Sequence, residues 1–301
     1  MTALLDAAAT AARLPYNRLV RSVEDLLRDD TVQVPARLVQ PLAGGASLFV
    51  MPALDTQLAI TKLITYTPAN AGTPRPAIQG DVVVFDVATG VRRWVLDGPT
   101  VTARRTAAVS LLAAQRLAAL PKGPMLIVGA GVQGRAHLEA FAQGLGIREF
   151  FIASRTADSA LALAAHAAAM GCEAQVVADP AQVQADCPLI VTCTPASAVV
   201  LRGDLHPQVW LAAVGAFKSE MIEIDPSLTR ALAACGRVVV DTQEAEHEAG
   251  DLLQAGLSAG HWQTLAQVLV SKPVPGAPVL FKSCGWAGWD LAAARLVGRR
   301  P

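Results

Sequence analysis

A glycine-rich turn at residues 129–134, with the sequence GAGVQG, constrains the fold of this chain more than any other stretch. The apolar run 125–128 precedes the turn and helix-favouring residues follow it, so the turn joins a predicted strand to a predicted helix. In that setting a G-x-G-x-x-G pattern is typical of dinucleotide binding, with the pyrophosphate at the helix N-terminus. An ordinary glycine turn in a strand–helix unit is the alternative.

The glycines of this turn have separate expected roles. Gly129 allows the tight turn, Gly131 lets the backbone approach a pyrophosphate, and Gly134 lets the helix pack closely against the strand. Val132 and Gln133 lie in the turn just before the predicted helix 135–145, whose free backbone N–H groups point at a phosphate. We therefore expect Gly129, Gly131, Val132 and Gln133 to bind the cofactor.

Strands and helices alternate downstream of the turn. Such alternation is typical of a doubly wound parallel sheet. The predicted strands are 125–128, 149–153, 174–177, 188–193, 209–214, 237–240 and 278–283, and the predicted helices are 135–145, 157–170, 226–235 and 286–297. The sequence therefore predicts a Rossmann-type dinucleotide-binding domain over residues 121–285.

The first third of the chain is predicted to be rich in strands. An amphipathic helix at 16–28 comes first, and a later pair of strands is joined by a turn containing Gly90, as in a hairpin. The predicted strands are 36–39, 47–51, 58–66, 82–85 and 94–96, with an irregular loop at 67–79 and a helix at 102–120. The breaker sequence PKGP at 121–124 marks the domain boundary. The fold class is therefore α/β, a doubly wound parallel sheet plus a strand-rich α+β domain at 1–120.

Composition argues against several classes of function. The chain has 301 residues with 25 Lys and Arg against 25 Asp and Glu, so its net charge is zero and we expect no nucleic-acid partner. No apolar stretch reaches the ~18 residues of a membrane span, and we expect no membrane partner. The five cysteines are scattered, which favours a reducing cytoplasm without disulfides or a metal site. The acidic run 244–248 is interpreted as a solvated helical face.

The end of the second Rossmann strand indicates which dinucleotide binds. An acidic residue normally follows this strand and accepts a hydrogen bond from the ribose 2′-OH of NAD. Here Ser154, Arg155 and Thr156 follow it, and a guanidinium with two hydroxyls suits a 2′-phosphate. We therefore predict that these three residues bind NADPH, with NADH also possible. An ordinary surface arginine is the alternative.

Two later strand ends supply further candidates for the cofactor site. Thr192 and Thr194 lie at the end of one predicted strand, and Val214 ends the next. Ligands of a doubly wound sheet lie beyond the carboxyl ends of its strands, so we expect these residues near the cofactor, with Val214 near the nicotinamide. Hydroxyls that merely satisfy a turn are the alternative for either threonine.

Three cations stand in apolar surroundings within the first domain. Lys62 lies inside an apolar strand, Arg105 opens a helix, and Arg37 begins a strand. A buried strand rarely holds an unpaired ammonium. A cluster of such cations would bind a substrate carboxylate. Ordinary salt bridges with apolar stems packed on the protein are the alternative.

Taken together, these features resemble the ornithine cyclodeaminase/mu-crystallin family over nearly the whole chain. The matching segments are 48–53, 62–65, 85–90, 96–98, 102–108, 128–133, 250–252, 281–285 and 290–292. Within the family, the start LLDAAATAARLPY and the helix ARRTAA are most similar to bacterial Δ1-pyrroline-2-carboxylate (ketimine) reductases.

The resemblance implies roles for particular residues. Arg37, Lys62 and Arg105 would hold the substrate carboxylate, with Lys62 and Arg105 as the catalytic residues. Thr106 would contact the cofactor phosphates, and Lys282 would also lie at the cofactor. The resemblance further implies a homodimer built through the strand-rich domain, to which the C-terminal helix 286–301 returns.

The implied activity is NAD(P)H-dependent reduction of cyclic imino acids within proline and amino-acid metabolism. Δ1-pyrroline-2-carboxylate would give L-proline, and Δ1-piperideine-2-carboxylate would give L-pipecolate. The cyclodeaminases carry a catalytic Asp where this chain has Phe217, so Phe217 is assigned to substrate binding and ornithine cyclisation is not expected. An ornithine cyclodeaminase, an alanine dehydrogenase-like enzyme and an NADPH-dependent small-ligand binding protein remain the alternatives.

Overall fold

The chain forms two compact units in a computed structural model that describes residues 3–70, 73, 75–195, 197–270 and 276–299, without the side chain of Ser197. One unit comprises Met1–Ala108 with Trp286–Pro301, and the other comprises Val109–Gly285. The division lies inside a helix, whereas the sequence placed the boundary at 121–124. The second half of that helix belongs with the second unit, where the Ser110 hydroxyl lies 3.0 Å from Nε2 of His137.

A six-stranded sheet forms the framework of the first unit. Its strands are β1 (Ala3–Leu5), β2 (Leu38–Pro41), β3 (Ser47–Leu54), β4 (Leu58–Tyr66), β5 (Ile78–Asp86) and β6 (Arg92–Asp97). The helices are α1 (Ala7–Arg13), α2 (Tyr16–Leu27), α3 (Gly98–Leu117, shared with the second unit) and, from the end of the chain, α10 (Ala287–Gly298). The strand order is β1-β6-β5-β4-β3-β2, and all neighbours are antiparallel except the parallel pair β1 and β6.

The core of the first unit lies between this sheet and helices α2 and α10. Side chains of β3 and the first half of β4 alternate between buried and partly exposed, which is the pattern of a sheet with one covered face. Helix α2 buries the apolar stripe of Leu19, Val23 and Leu26. Helix α10 packs against α2, β3 and β4, and its side chains are almost all buried, including Trp289.

The second unit contains a larger, wholly parallel sheet. Its strands are β7 (Met125–Val128), β8 (Glu149–Ala153), β9 (Glu173–Val177), β10 (Leu189–Thr192), β12 (Trp210–Ala213), β14 (Arg237–Val240), β15 (Gln263–Thr264) and β16 (Val279–Lys282), while β11 (Ser197–Leu201) and β13 (Ile222–Ile224) form a separate parallel pair. The helices are α4 (Val132–Gly144), α5 (Ala157–Ala169), α6 (Pro226–Cys235), α7 (Ala245–Glu248), α8 (Gly250–Leu253) and α9 (Leu265–Val270).

The strand order of the large sheet defines one switch point. The order is β15-β14-β16-β12-β10-β7-β8-β9. From β7 the chain runs outward through β8 and β9, then returns to β10 on the other side of β7. Strands β7, β10, β12 and β16 are buried along their whole lengths, as expected of central parallel strands covered on both faces. The α/β fold class with a doubly wound parallel sheet is therefore confirmed.

Several elements begin or end away from the predicted positions. Helix α3 starts at Gly98 instead of 102, since the Asp97 carboxylate accepts a hydrogen bond from the Thr100 backbone N–H at 2.8 Å and so caps the first turn. Strand β5 starts at Ile78, inside the predicted loop 67–79, because its first residue pairs with Tyr66. Residues 71, 72 and 74 of that loop lie outside the described residues. No helix in the described ranges is both long and apolar enough to cross a membrane.

Arg295 joins three segments of the first unit through a partly buried ion-pair network. Its Nε lies 2.6 Å from Oδ2 of Asp55, and its Nη2 lies 2.6 Å from Oδ2 of Asp29. Helix α10 is thereby tied to the turn after β3 and to the segment after α2. The Asp55 side chain is only 4% exposed, so loss of its partner would leave a poorly hydrated charge.

We expect Arg295→Met to lower the free energy of unfolding by about 2 kcal/mol, because Asp55 loses its cation in a desolvated position. Urea denaturation followed by circular dichroism measures the change. The matched control is Arg299→Met, whose ion pair with Asp25 is about half exposed on both sides and should contribute less than ~1 kcal/mol. Equal losses in the two variants would contradict this account of the network.

Candidate active site

The glycine turn after β7 has the geometry that its sequence predicts. Gly129 has a φ of +115°, and a Cβ built there would lie 2.7 Å from the carbonyl oxygen of Cys193. A Cβ at Gly134 would lie 2.0 Å from the carbonyl oxygen of Gly129. Both positions therefore require glycine, the first for its backbone conformation and contact with the next loop, the second for close packing of α4 on the turn.

Gly131 stands in different surroundings from the other two glycines. A Cβ built there would meet nothing within 4 Å, and Gly131 is the N-cap of α4 without a side-chain hydrogen bond to the helix. Val132, the first residue of α4, is 70% exposed. The open space and the N–H groups of a 13-residue helix form a cradle that fits the pyrophosphate of a dinucleotide.

This cradle lies at the switch point of the parallel sheet. The Gly129 N–H donates to the carbonyl of Ala153 at the end of β8, and the Cys193 N–H donates to the carbonyl of Val128 at the end of β7. The segments after β7, β8 and β10 are thereby held side by side at the carboxyl edge. A crevice at this place is where open α/β sheets bind their ligands.

The residues after β8 are available to a ligand. Arg155 and Thr156 are exposed and Ser154 is half-buried. The Thr156 hydroxyl donates to Oγ of Ser159 at 2.8 Å, and Thr156 is the N-cap of α5. A guanidinium beside a helix N-terminus offers a fixed positive charge and several donors to a phosphate.

Two of the threonines predicted at the cofactor donate hydrogen bonds to Glu223. The Thr192 hydroxyl donates to Oε2 of Glu223 at 3.0 Å and is fully buried. The Thr194 hydroxyl donates to Oε1 of the same carboxylate at 2.8 Å. Burial raises the pKa of Glu223, with the nearby Lys282 ammonium acting in the opposite direction. The side chain of Thr192 therefore serves an internal hydrogen bond, because the bound carboxylate leaves its hydroxyl no path to a ligand.

Lys282 is also held inside the second unit. Its Nζ lies 2.9 Å from Oδ2 of Asp251 and 3.2 Å from the carbonyl oxygen of Ala213, and the side chain is wholly buried. Burial opposes its charge, but the attraction of the Asp251 carboxylate and its neighbours raises the pKa of Lys282 overall. Its ammonium is therefore committed to the protein interior. Val214, directly after β12, is also nearly buried.

The first unit brings Lys62 and Arg105 together around one buried carboxylate. Lys62 Nζ lies 2.8 Å from Oδ2 of Asp290, and Arg105 Nε lies 3.2 Å from Oδ1 of the same residue. The three side chains are 1%, 6% and 0% exposed. They come from β4, α3 and α10. When Lys62 is protonated, two cations face a single carboxylate, so the three side chains together carry one net positive charge.

The surroundings of Lys62 perturb its protonation. Burial, together with the guanidinium groups of Arg105 and Arg37, lowers the pKa of Lys62 to about 8, and the Asp290 carboxylate opposes this shift. Arg37 therefore lies close enough to contribute to the same positive field, and it is half-buried just before β2. Thr106, next to Arg105 on α3, is buried.

Phe217 and the acidic run lie in the second unit. Phe217 is half-buried in the segment between β12 and β13. In the acidic run, Glu246 and His247 are exposed on the short helix α7, whereas Glu244 and Glu248 are half-buried, so the run is solvated only in part. Within the described ranges, no group of three or more His, Cys, Asp or Glu side chains could hold a metal ion.

Sequence reasoning missed the carboxylates that organise both units. Asp290 and Asp251 lie in segments that match the family, but the sequence alone assigns no role to them or to Glu223. Each is wholly buried. The available signal was an acid within apolar surroundings, as in the helix sequence AGWDLAAARLVG of α10.

One unit is a doubly wound sheet with this cradle, and the other holds a buried cation cluster. These two features are typical of a dinucleotide-dependent oxidoreductase. A family model described as the ornithine cyclodeaminase/mu-crystallin family matches residues 3–300, and the chain belongs to that family.

Relatives match nearly the whole chain. A Δ1-pyrroline-2-carboxylate reductase 1 from Burkholderia multivorans is 38% identical, over 98% of this chain and 94% of its own length. A Δ1-pyrroline-2-carboxylate/Δ1-piperideine-2-carboxylate reductase from Azospirillum brasilense is also 38% identical, over 98% and 96%. The solved Thermococcus litoralis Δ1-pyrroline-2-carboxylate reductase, in complex with NADH and L-proline, shares the fold with a TM-score of 0.90 at 23% identity, covering 98% of this chain and 96% of that one.

The two glycines of the turn provide a matched pair of variants. We expect Gly131→Ala to fold normally but to bind a nicotinamide dinucleotide about tenfold or more weakly, because its methyl group enters the cradle. Gly134→Ala should lose about 1–3 kcal/mol of stability as well, since its methyl group collides with backbone. Thermal unfolding and a fluorescence titration separate the two effects. Wild-type affinity in Gly131→Ala would show that the cradle is not the phosphate site.

Proposed function

We propose that this protein reduces the C=N bond of cyclic imino acids with a nicotinamide dinucleotide, converting Δ1-pyrroline-2-carboxylate to L-proline and Δ1-piperideine-2-carboxylate to L-pipecolate. The observation that carries the proposal is the buried cluster of Lys62, Arg105 and Asp290, with its surplus positive charge. The names of the two relatives at 38% identity support the substrate class. The reaction would belong to proline and amino-acid metabolism.

The cation cluster supplies a receptor for the substrate carboxylate. Lys62 and Arg105 each pair with Asp290. A lysine ammonium has three N–H donors and a guanidinium has five, so each side chain has more donors than this pair uses. A carboxylate bound there would neutralise the surplus charge of the cluster. Arg37, which adds to the field at Lys62, is the third residue that we assign to this carboxylate. Held in this way, the ring would present one face of its C2 atom for attack, an orientation effect that lowers the barrier.

The second unit would hold the dinucleotide. Gly129, Gly131, Val132 and Gln133 form the cradle assigned to the pyrophosphate. When bound, the reduced nicotinamide supplies the hydride that the imine carbon accepts. We retain Thr106, Thr194 and Val214 as residues near the cofactor, and we assign supporting roles to Thr192 and Lys282 because their side chains are committed to internal partners.

Phe217 directs the proposal away from ornithine cyclisation. Loss of ammonia from ornithine requires a group that moves protons on two amines, and a phenyl ring has no proton to exchange. The half-buried ring instead suits a compact substrate without a distal ammonium. We therefore assign Phe217 to contact with the imine ring.

We further propose NADPH as the preferred cofactor and the cytoplasm as the location. The exposed Arg155, with Ser154 and Thr156, would bind the 2′-phosphate. All five cysteines are free thiols, in keeping with a reducing compartment.

A homodimer through the strand-rich unit is the oligomeric state that we propose. Leu38, Val50 and Leu63 form a cross-strand row on β2, β3 and β4. Leu38 is 56% and Leu63 is 45% exposed, and β2 is an edge strand. An apolar row beside an open sheet edge is a surface that a second copy could cover.

The direct test of the function is oxidation of NADPH by the wild-type protein in the presence of each cyclic imine, with detection of L-proline or L-pipecolate. We expect Lys62→Met to lower kcat/KM for the imines at least thirtyfold, the equivalent of about 2 kcal/mol, because the carboxylate loses a charged partner in a desolvated position. Dinucleotide affinity should be unchanged, since the cradle belongs to the other unit. Formation of ammonia and proline from L-ornithine with NAD⁺ at a comparable rate would contradict the proposal.

The lowered pKa of Lys62 predicts how carboxylate binding depends on pH. Only the protonated ammonium attracts a carboxylate, so affinity should be constant below about pH 7 and fall towards tenfold per pH unit above the pKa of about 8. Pyrrole-2-carboxylate is a suitable inhibitor because its own charge does not change between pH 6 and 10. Its inhibition constant should rise above pH 8 in the wild type and stay flat in Lys62→Arg, which keeps its charge. A flat profile in the wild type would contradict the role of Lys62.

Cofactor preference is tested at Arg155. A charged hydrogen bond contributes about 1.5–3 kcal/mol, so Arg155→Ala should raise the KM for NADPH roughly ten- to a hundredfold. The KM for NADH should stay nearly the same, because NADH lacks the 2′-phosphate. Equal losses with the two cofactors would show that Arg155 does not select between them.

A further inference from the structure

Glu223 is a wholly buried carboxylate for which the proposed reaction has no chemical use. It lies on the three-residue strand β13 and accepts four hydrogen bonds. Oε1 accepts from the backbone N–H of Thr194 at 2.7 Å and from the Thr194 hydroxyl at 2.8 Å. Oε2 accepts from the backbone N–H of Gly215 at 2.6 Å and from the Thr192 hydroxyl at 3.0 Å.

These bonds reach two loops that follow neighbouring strands. Thr194 belongs to the segment 193–195 after β10. Gly215 is the second residue of the segment 214–221 between β12 and β13, which carries Phe217. Strands β10 and β12 are paired in the large sheet. A Cβ at Gly215 would lie 2.2 Å from the carbonyl oxygen of Thr194 and 2.5 Å from Oε1 of Glu223. The two loops are therefore packed directly against each other and against the carboxylate.

The bonding pattern requires a carboxylate and excludes its amide. Each oxygen of Glu223 faces one backbone N–H, a group that can only donate. A glutamine would place its NH₂ group against the N–H of either Thr194 or Gly215, whichever way the amide turned. One loop would always lose its acceptor and face an added donor in a buried position.

The backbone of Glu223 is itself held in place by Asp251. The backbone N–H groups of Glu223 and Ile224 donate to Oδ1 of Asp251 at 2.6 and 3.0 Å. Oδ2 of Asp251 pairs with Lys282 at the end of β16, and Lys282 donates to the carbonyl of Ala213 at the end of β12. The far end of the Phe217 segment is also held, because Nε2 of Gln254 donates to the carbonyls at 219 and 221. The carboxylate thus has a fixed position from which to hold the loops.

We propose that Glu223 is a positioning residue that locks the loops 193–195 and 214–221 into a single arrangement, and so sets the surface that the nicotinamide end of the cofactor would meet. The effect on the bound cofactor rests on the proposed function, whereas the locking of the two loops does not. The loops lie at the carboxyl edge of the sheet, beside the switch point, where displacements of a bound ring would be most costly to hydride transfer.

Hydrogen–deuterium exchange of the cofactor-free protein tests the lock itself. In Glu223→Gln, at least one of the peptides covering 193–195 and 214–217 should exchange about tenfold or more faster than in the wild type. In Glu223→Ala, both should. The matched control is Gln184→Glu, the reverse amide-to-carboxylate exchange at another buried side chain, whose Nε2 holds the carbonyls of Arg202 and Asp204. It should leave both peptides unchanged. Wild-type protection of both peptides in Glu223→Ala would overturn the proposal.

Steady-state kinetics separates positioning from a purely structural role. The kinetics are measured at a temperature where circular dichroism shows each variant folded. Glu223→Gln should then lower kcat for the imine at least tenfold. The KM for the imine should stay within threefold, because the carboxylate of the imine is assigned to Lys62 and Arg105 in the first unit. Gln184→Glu should keep the wild-type kcat even if it loses as much thermal stability as Glu223→Gln does. An unchanged kcat in Glu223→Gln would refute the positioning role. If the wild type reduced no cyclic imine, the proposed function would fail, and the exchange experiment would still decide whether Glu223 locks the loops.

Discussion

The buried carboxylate of Asp290 is the interaction on which the first unit depends. It lies between Lys62 on β4 and Arg105 on α3, and it comes from α10 at the other end of the chain. Without it, two cations would stand unpaired in an interior that holds little water, at a cost of several kcal/mol. With it, one positive charge remains. The same contact therefore lets the sheet and its covering helices bury two cations, and it leaves the positive charge that we assign to binding a small anion.

The second unit uses buried carboxylates differently. Glu223 and Asp251 accept hydrogen bonds from backbone N–H groups, and Asp241 accepts from the N–H groups of Cys284 and Gly285 after β16. Each carboxylate thereby fixes segments at or near the carboxyl edge of the parallel sheet. Lys282 supplies a positive charge beside two of them. The cluster in the first unit thus keeps a net positive charge, which we assign to a ligand. In the second unit the buried carboxylates accept backbone hydrogen bonds and so fix the loops at the edge of the sheet.

Features that depend on neighbouring residues could be predicted from the sequence. Ion pairs and hydrogen bonds between residues far apart in the chain could not. The strand, turn and helix around Gly129 follow from neighbouring residues. Lys62 could be singled out because its charge interrupts an apolar strand. Asp290 could not be assigned to Lys62 from sequence, because only the packing of α10 on β4 brings them together. For the same reason, the sequence could not show that the Lys282 ammonium pairs with Asp251, and its place at the cofactor stays a prediction. Strand β13 is too short to give a recognisable period.

The central claim is that the cluster around Asp290 recognises a carboxylate by its charge. The most direct measurement is calorimetric binding of pyrrole-2-carboxylate and of pyrrole-2-carboxamide, which have nearly the same shape but differ in charge, to the wild type and to Lys62→Met at pH 7. The account predicts that the wild type binds the acid at least about tenfold more tightly than the amide, and that the variant loses most of this preference. Equal affinity of the wild type for the two ligands, or an unchanged preference in Lys62→Met, would contradict it.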